Sequence, residues 1–189
     1  MKRPVRVIRR QEIYRGRIIR LIQEELSCRG RRIIRETIEH PGAVVVLPVL
    51  PDGRLVLVRQ YRRAVDRWLL ELPAGTRDRR ESETACARRE LEEEAGWRAG
   101  QLRLLSRFYA APGCLSERMT LFLATGLRRT TPHPEPDESL RPATLTLQAA
   151  VRKIRTGAIC DAKTIIGILW LSQNAQKDHR EHRMSSDAL

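Results

Sequence analysis

Four glutamates crowd the end of the stretch GTRDRRESETACARRELEEEAGW, residues Gly75 to Trp97: Glu90, then Glu92, Glu93 and Glu94. The run 83–95 holds good helix formers and neither Gly nor Pro, and Gly96 stands where a helix ends in a left-handed residue. At about 100° per residue, Glu90 and Glu94 fall about 40° apart on one face, with Glu93 beside them. Glu83 points toward the same side and is read as solvated. Thr84, Ala87, Leu91 and Ala95 form a separate, more apolar face that can pack on a sheet. Like charges at this spacing repel by roughly 0.2–0.5 kcal/mol. Carboxylates in the last turn also oppose the helix dipole, at roughly 0.3–1 kcal/mol each. A divalent cation relieves both penalties, because hard cations want several carboxylate oxygens converging on one point. A solvated face neutralised by Arg88 and Arg89 is the plainer alternative.

The spacing of the whole stretch separates the two. It reads G75-x5-E81-x7-R89-E90-L91-x-E93-E94-x-G96-W97. It resembles the Nudix box, G-x5-E-x7-R-E-U-x-E-E-x-G-U with U a bulky apolar residue, at every specified position. That resemblance implies a loop-helix-loop holding Mg2+ or Mn2+ against a pyrophosphate. It also implies the roles. Glu90 and Glu94 are the principal metal ligands, Glu93 a further ligand or relay, and the carbonyl of Ala74 another ligand. Gly75 permits close approach of backbone to metal. Arg89 orients the glutamates through charge-assisted hydrogen bonds. Glu81 belongs to the pattern in a structural role.

Segments outside the box extend the resemblance to roughly residues 10–173. Pro112, sixteen residues after Gly96 in YAAPGCLSER, is similar to the marker of the ADP-ribose pyrophosphatase subgroup, although Pro112-Gly113 is also an ordinary turn between strands. EHPGAVVVLPV, VRQYR, WLLELPAG and DAKTIIGILWL agree. By the same resemblance, Arg62 contacts a phosphate or ribose, where its planar fork is suited; taken alone it is an edge-strand surface residue. Arg35 resembles a substrate arginine supplied by a partner subunit, and Glu117 a position near the substrate or the dimer interface. In similar enzymes a glutamate from a loop beyond the box is the general base. Here that loop is TTPHPEPDES, 130–139. Glu138 matches best and Glu135 is the runner-up, while Pro134 and Pro136 depart from the family's more acidic loop.

These groups need elements to hold them. VRVIRRQEIY, RGRIIRLIQEEL and RRIIRETIEH alternate with near period two and predict three strands before residue 40, with a turn at Cys28-Arg29-Gly30. AVVVLPVL predicts a strand buried on both faces, Pro51-Asp52-Gly53 a turn, and RLVLVRQY the returning strand. RWLLELPAG predicts a short strand entering a loop; LRLLSRFYA, RMTLFLATG and ATLTL predict more strands. Helices are expected near 147–156 and 161–173, the second capped by Asp161. The order predicts an α+β protein, and the resemblance a Nudix α/β/α sandwich with a mixed sheet and an N-terminal β extension. The expected divisions are 1–40, an extension in a homodimer interface; 41–173, the hydrolase domain; and 174–189, a polar tail that frays.

The chain has 189 residues and a formal charge of +13. Residues 1–40 carry 12 Lys/Arg against 5 Asp/Glu, a net of +7. Such an excess steers phosphorylated anions. No helix-turn-helix, zinc-finger or RNA-binding pattern accompanies it, and aromatics are sparse for a base-stacking platform. No apolar run approaches the roughly 18 residues that span a bilayer, and the basic N-terminus lacks a signal's apolar region. Cys28, Cys86, Cys114 and Cys160 are spaced for neither zinc nor a redox pair, so a cytoplasmic location with reduced thiols is expected. The expected function is Mg2+-dependent hydrolysis of the pyrophosphate bond of ADP-ribose or a similar nucleoside diphosphate sugar, giving AMP and ribose 5-phosphate. GDP-mannose-type hydrolysis is the alternative. A non-catalytic ligand-sensing or nucleic-acid-binding module is a third reading, opposed by the complete set Arg89, Glu90, Glu93 and Glu94.

Overall fold

The computed structural model describes residues 5–78, 80–133 and 139–186, with side chains up to 174. Strands β1 (Val5–Arg15), β2 (Arg20–Cys28) and β3 (Arg31–Glu39) form an antiparallel sheet of their own in the order β1-β2-β3. The turn between β2 and β3 places Arg29 and Gly30 at φ 49° and 79°. Two positive φ values in a two-residue loop match the right-handed twist of the strands it joins.

Beyond residue 40 the chain builds a layered sandwich. Strands β4 (Ala43–Pro48), β7 (Ala74–Thr76), β9 (Gln101–Tyr109) and β10 (Arg118–Thr125) form one sheet in the order β7-β4-β10-β9. β10 runs parallel to β4 and the other pairings are antiparallel, so the sheet is mixed. Strands β5 (Leu55–Arg62), β6 (Arg67–Glu71) and β12 (Leu140–Leu145) form a second sheet, ordered β12-β5-β6. Pro142 sits in β12, an edge strand, where a missing N–H is tolerated. Two short strands, β8 (Trp97–Arg98) and β11 (Arg128–Arg129), pair with each other.

The expectation of a doubly buried strand at 43–50 is met in detail. Val44 and Val46 enter one apolar cluster with Val56, Val58, Cys86, Ala87, Leu91 and Ala95. Val45 and Leu47 enter the other with Leu55, Leu57, Leu72, Ala150, Ile159 and Ile168. Alternate residues of β4 and β5 thus face α1 (Glu83–Ala95) on one side, and α2 (Leu147–Arg155) with α3 (Ala162–Ser186) on the other. This is the α/β/α arrangement.

Three local expectations need correction. On α1, Thr84 is exposed, and Cys86 takes its place on the packed face with Ala87, Leu91 and Ala95. Ala74–Thr76 is a strand rather than a loop, because β4 offers it a pairing edge that no local signal reveals. Helix α3 runs to Ser186 rather than ending near 173, since residues 174–186 contain no Gly or Pro to stop it.

A buried ionic network fastens α3 to β6. Glu71 is 1% exposed and Lys163 is 6% exposed. Lys163 Nζ donates to Glu71 Oε2 and, at 2.9 Å, to Asp161 Oδ1. Asp161 Oδ2 accepts from Thr164 N at 3.0 Å and from Thr164 Oγ1 at 2.6 Å, so Asp161 caps α3 as its sequence position implies. Thr164 Oγ1 accepts from the backbone N–H of Leu72 at 2.8 Å. Burial pushes the Glu71 carboxyl up, but Arg62 and Lys163 outweigh it and hold the group below its ordinary value of 4.5. A depressed carboxylate stabilises the fold fully above its unfolded value and loses that contribution as pH falls through the folded one. Glu71→Gln leaves buried Lys163 with Asp161 as its one carboxylate partner, a loss of about 3 kcal/mol at neutral pH. In urea titrations the gap between wild type and variant is therefore widest near neutrality and narrows below about pH 4.5; a gap independent of pH would contradict the network.

Candidate active site

The site lies where α1 meets β7. Ser82 starts the helix, its Oγ accepting from Ala85 N at 3.1 Å. Gly96 ends it at φ 69°, ψ 39°, its N–H donating to Glu92 O at 3.0 Å. With Ala87 and Leu91 packed on the sheet, Glu90 and Glu94 are carried inward. They are 7% and 2% exposed, so the acidic turn is buried rather than solvated.

Gly75 explains how a carboxylate fits there. A Cβ on Gly75 would lie 1.9 Å from Glu90 Oε1 and 2.0 Å from its Cδ. Glu90 therefore occupies the volume of the missing side chain and rests against bare backbone. Glu94 reaches the same strand, its Oε2 accepting from Ala74 N at 3.0 Å. Both carboxylates thus meet β7 at Ala74 and Gly75.

Arg89 collects the remaining acids. Its Nε and Nη2 each lie 3.1 Å from the two oxygens of Glu81. Its Nη1 lies 2.8 Å from Glu90 Oε1 and 2.9 Å from Glu93 Oε2. One planar fork thus links the loop acid Glu81 to two acids of the helix. Hydrogen bonding from Arg89 holds Glu81 below the usual carboxylate range. Glu81 in turn raises the proton affinity of Arg89 above its ordinary value. The Cys86 thiol beneath them is pushed up to about 12 by burial and by Glu90 and Glu81, so it stays protonated. Arg88 takes no part: its Nη1 donates to Ala99 O at 2.6 Å. Glu83, read as solvated, instead pairs with Arg107 at 2.8 Å and Arg118 at 3.3 Å.

Arg62 approaches from the second sheet. It follows Val58 and Gln60 on alternate positions of β5, the face that packs toward α1. Its Nε and Nη2 donate to the two oxygens of Glu71 at 2.9 and 2.7 Å. Burial lowers its proton affinity, but Glu71, with Glu94 and Asp161 behind it, raises the net value. Arg62 is therefore paired to a buried carboxylate while its own side chain stays 39% exposed, and is not a free edge residue.

The remaining expected residues lie apart. Arg35, in β3 opposite Glu24, donates to Ile34 O and touches none of the α1 acids. Pro112 and Gly113 form a turn in the loop between β9 and β10. That loop is fastened to β3 by Ile38 N to Cys114 O at 2.8 Å and Ser116 N to Ile38 O at 2.9 Å. Glu117 Oε1 is 3.6 Å from His40 Nδ1. That nitrogen also accepts from Gly42 N at 3.1 Å. Glu138 and Glu135 lie outside the described residues. The loop leading to them is docked on the helix end, with His133 N donating to Glu93 O at 2.9 Å and Thr130 N to Gly96 O at 2.8 Å.

Sequence reading missed Glu71 and Lys163. The available signal was an acid between apolar Leu70 and Leu72, and a lysine two residues past a helix cap. Their pairing depends on β6 and α3 coming together.

The donors at β7 are hard oxygens: the Glu90, Glu93 and Glu94 carboxylates and the Ala74 carbonyl, a set that fits Mg2+ or Mn2+ chemistry. Among the described residues, no three acidic, His or Cys side chains are grouped closely enough to ligate one ion. Arg89 and the Ala74 amide hold the carboxylates instead, so ligation requires Arg89 to yield part of its hold.

Comparison with known proteins agrees with this geometry. Residues 39–178 match the NUDIX domain family. The chain is 34% identical over 169 residues to an ADP-ribose pyrophosphatase of Bacillus subtilis, covering 88% of this chain and 91% of that one. It is 31% identical over 173 residues to a GDP-mannose pyrophosphatase of Citrobacter koseri, covering 84% and 89%. A crystal structure of an ADP compounds hydrolase superposes with a TM-score of 0.82 at 22% identity, over 94% of this chain and 97% of the other, a likeness of fold.

Gly75→Ala forces Glu90 off the strand and is expected to lower stability by about 1–3 kcal/mol, the usual cost of overpacking. Equilibrium urea denaturation measures it. An unchanged midpoint would show that Glu90 does not occupy that volume.

Proposed function

The chain belongs to the NUDIX domain family and is a Nudix hydrolase, and from that premise we propose that it splits the pyrophosphate bond of ADP-ribose or a similar nucleoside diphosphate sugar, giving AMP and ribose 5-phosphate. The observation that carries the reading is the acidic turn seated on Gly75 and organised by Arg89. The similarity to an ADP-ribose pyrophosphatase over 88% of the chain supports the substrate class. Likeness to a GDP-mannose pyrophosphatase keeps that sugar nucleotide as the second reading.

In this reading Glu90, Glu94, Glu93 and the Ala74 carbonyl hold the cation. Bound there, Mg2+ or Mn2+ supplies charge neutralisation for the pyrophosphate and acidifies the attacking water. Arg89 orients Glu90 and Glu93 while Glu81 braces it from the loop. Arg62 contacts the diphosphate with the guanidinium edge that Glu71 does not use. Glu138 removes the proton from water, with Glu135 as runner-up. Pro112, Gly113 and Glu117 border the substrate, and Arg35 reaches the site of a partner subunit.

The partner in that arrangement is a second copy of the chain. Residues 1–40 serve as the interface extension, 41–173 as the hydrolase domain and 174–189 as a polar tail. The sheet β1-β2-β3 leaves Val7, Ile8, Ile13, Tyr14 and Ile34 exposed, with Ile34 at 61%. Exposed apolar side chains on an extension sheet are what a partner copy would cover. A cytoplasmic location accompanies this reading; among the described residues, no helix is long and apolar enough to cross a membrane.

Four measurements test the proposal. A screen of nucleotide sugars for released monophosphate should give the highest kcat/KM with ADP-ribose; no turnover of any of them would sink it. Glu94→Gln should keep the far-UV spectrum and lose nearly all activity at saturating Mg2+; near wild-type turnover would remove it from the metal set. Glu138→Gln should lower kcat by roughly 10²–10⁴-fold with KM little changed, while Glu135→Gln is milder; the reverse pattern transfers the role to Glu135. Sedimentation equilibrium should give twice the chain mass, and a monomer would refute the dimer.

A further inference from the structure

The pair Arg62–Glu71 does not end at Glu71. Lys163 Nζ donates to Glu71 Oε2, the oxygen that also accepts from Arg62 Nη2 at 2.7 Å. Lys163 is 6% exposed and reaches no solvent partner; its second bond goes to Asp161 Oδ1 at 2.9 Å. Two cations and two carboxylates thus alternate in the order Arg62, Glu71, Lys163, Asp161, and the charges balance. Burying the Glu71 and Lys163 charges is costlier than an apolar pair of the same volume would be. Thr164, bonded to Leu72 N and Asp161, already fastens α3 to the β6–β7 link. A mere fastening therefore does not require the lysine.

What Lys163 adds is directional. Arg62 holds both oxygens of Glu71, and Lys163 adds a further bond to Oε2, so the carboxylate is fixed against rotation with its arginine partner. A bidentate pair transmits that orientation to the guanidinium. Arg62 Nε and Nη2 are committed to Glu71, which leaves the Nη1 edge. Arg62 follows Val58 on the side of β5 that packs toward α1, the helix carrying the acidic turn.

We propose that Lys163 is a positioning residue for recognition of the diphosphate: through Glu71 it holds Arg62 aimed at the phosphates. This rests on the reading of Arg62 as a phosphate contact. Lys163 itself touches no substrate. Its loss frees the Glu71 and Arg62 side chains to rotate together, and binding then bears the ordering that the network had already met.

The test uses Lys163→Met, Arg62→Lys and their double variant in the full-length protein. The first readout is affinity for ADP with Ca2+ by calorimetry, which needs no turnover and survives failure of the proposed reaction. The second is Mn2+ affinity by electron paramagnetic resonance. Lys163→Met should weaken ADP by about tenfold, the lower end of what supporting partners of a site contribute, and leave Mn2+ affinity unchanged. On the Arg62→Lys background it should weaken ADP no further, because residues acting through one another are not additive. Thr164→Val loosens the same helix without touching Glu71 and should leave ADP affinity near wild type. If Lys163→Met does not fold, Glu71→Gln with Lys163→Met removes both buried charges together and should show the same tenfold loss. Wild-type ADP affinity in that pair, additivity with Arg62→Lys, or an equal loss in Thr164→Val would each overturn the proposal. Lack of nucleotide-sugar turnover by the wild type, with the ADP pattern intact, would instead overturn only the reaction.

Discussion

Everything at the site depends on how closely α1 can lie on β7. Glu90 fills the space where any other residue at position 75 would carry a Cβ. That single close approach brings a helix carboxylate onto strand backbone, and Glu94 follows onto the Ala74 amide one turn later. The apolar face of α1, from Cys86 to Ala95, supplies the packing that keeps it there. Arg89 then resolves the electrostatic problem the packing creates. Buried acids need matched charge, and one guanidinium serves Glu81, Glu90 and Glu93 together.

A second charged assembly joins the second sheet to α3. Arg62, Glu71, Lys163 and Asp161 tie β5, β6 and the start of α3 into one unit. The two assemblies are opposite in purpose. The α1 cluster concentrates carboxylates against backbone, whereas the α3 cluster presents a guanidinium held by buried partners.

The N-terminal sheet is joined to the sandwich through the β9–β10 loop. Ile38 exchanges backbone hydrogen bonds with Cys114 and Ser116, and His40 N donates to Ser116 Oγ at 3.0 Å. The loop carrying Pro112 and Gly113 is therefore shaped by the extension as well as by the sheet. Arg107 and Arg118, at the ends of the strands it joins, converge on Glu83 at the start of α1. The extension meets the loop, and the strands the loop joins meet the start of α1.

The sequence by itself determined what depends on local rules. The helix 83–95 and its Gly96 terminus follow from propensity and backbone freedom, the doubly buried β4 from a continuous apolar run, and the family from a motif whose identities occupy fixed intervals. Glu81, Arg89, Glu90, Glu93 and Glu94 were legible for that last reason. Only the tertiary structure decided burial and partnership. The burial of Glu90 and Glu94 was not legible, because charge along one helix says nothing of the strand that covers it. Glu83 found Arg107 and Arg118 from distant strands. Ala74–Thr76 became a strand because β4 had a free edge. Glu71 and Lys163, 92 residues apart, share one buried bond that no spacing encodes, since their meeting is set by how α3 docks on β6 and not by anything within either segment.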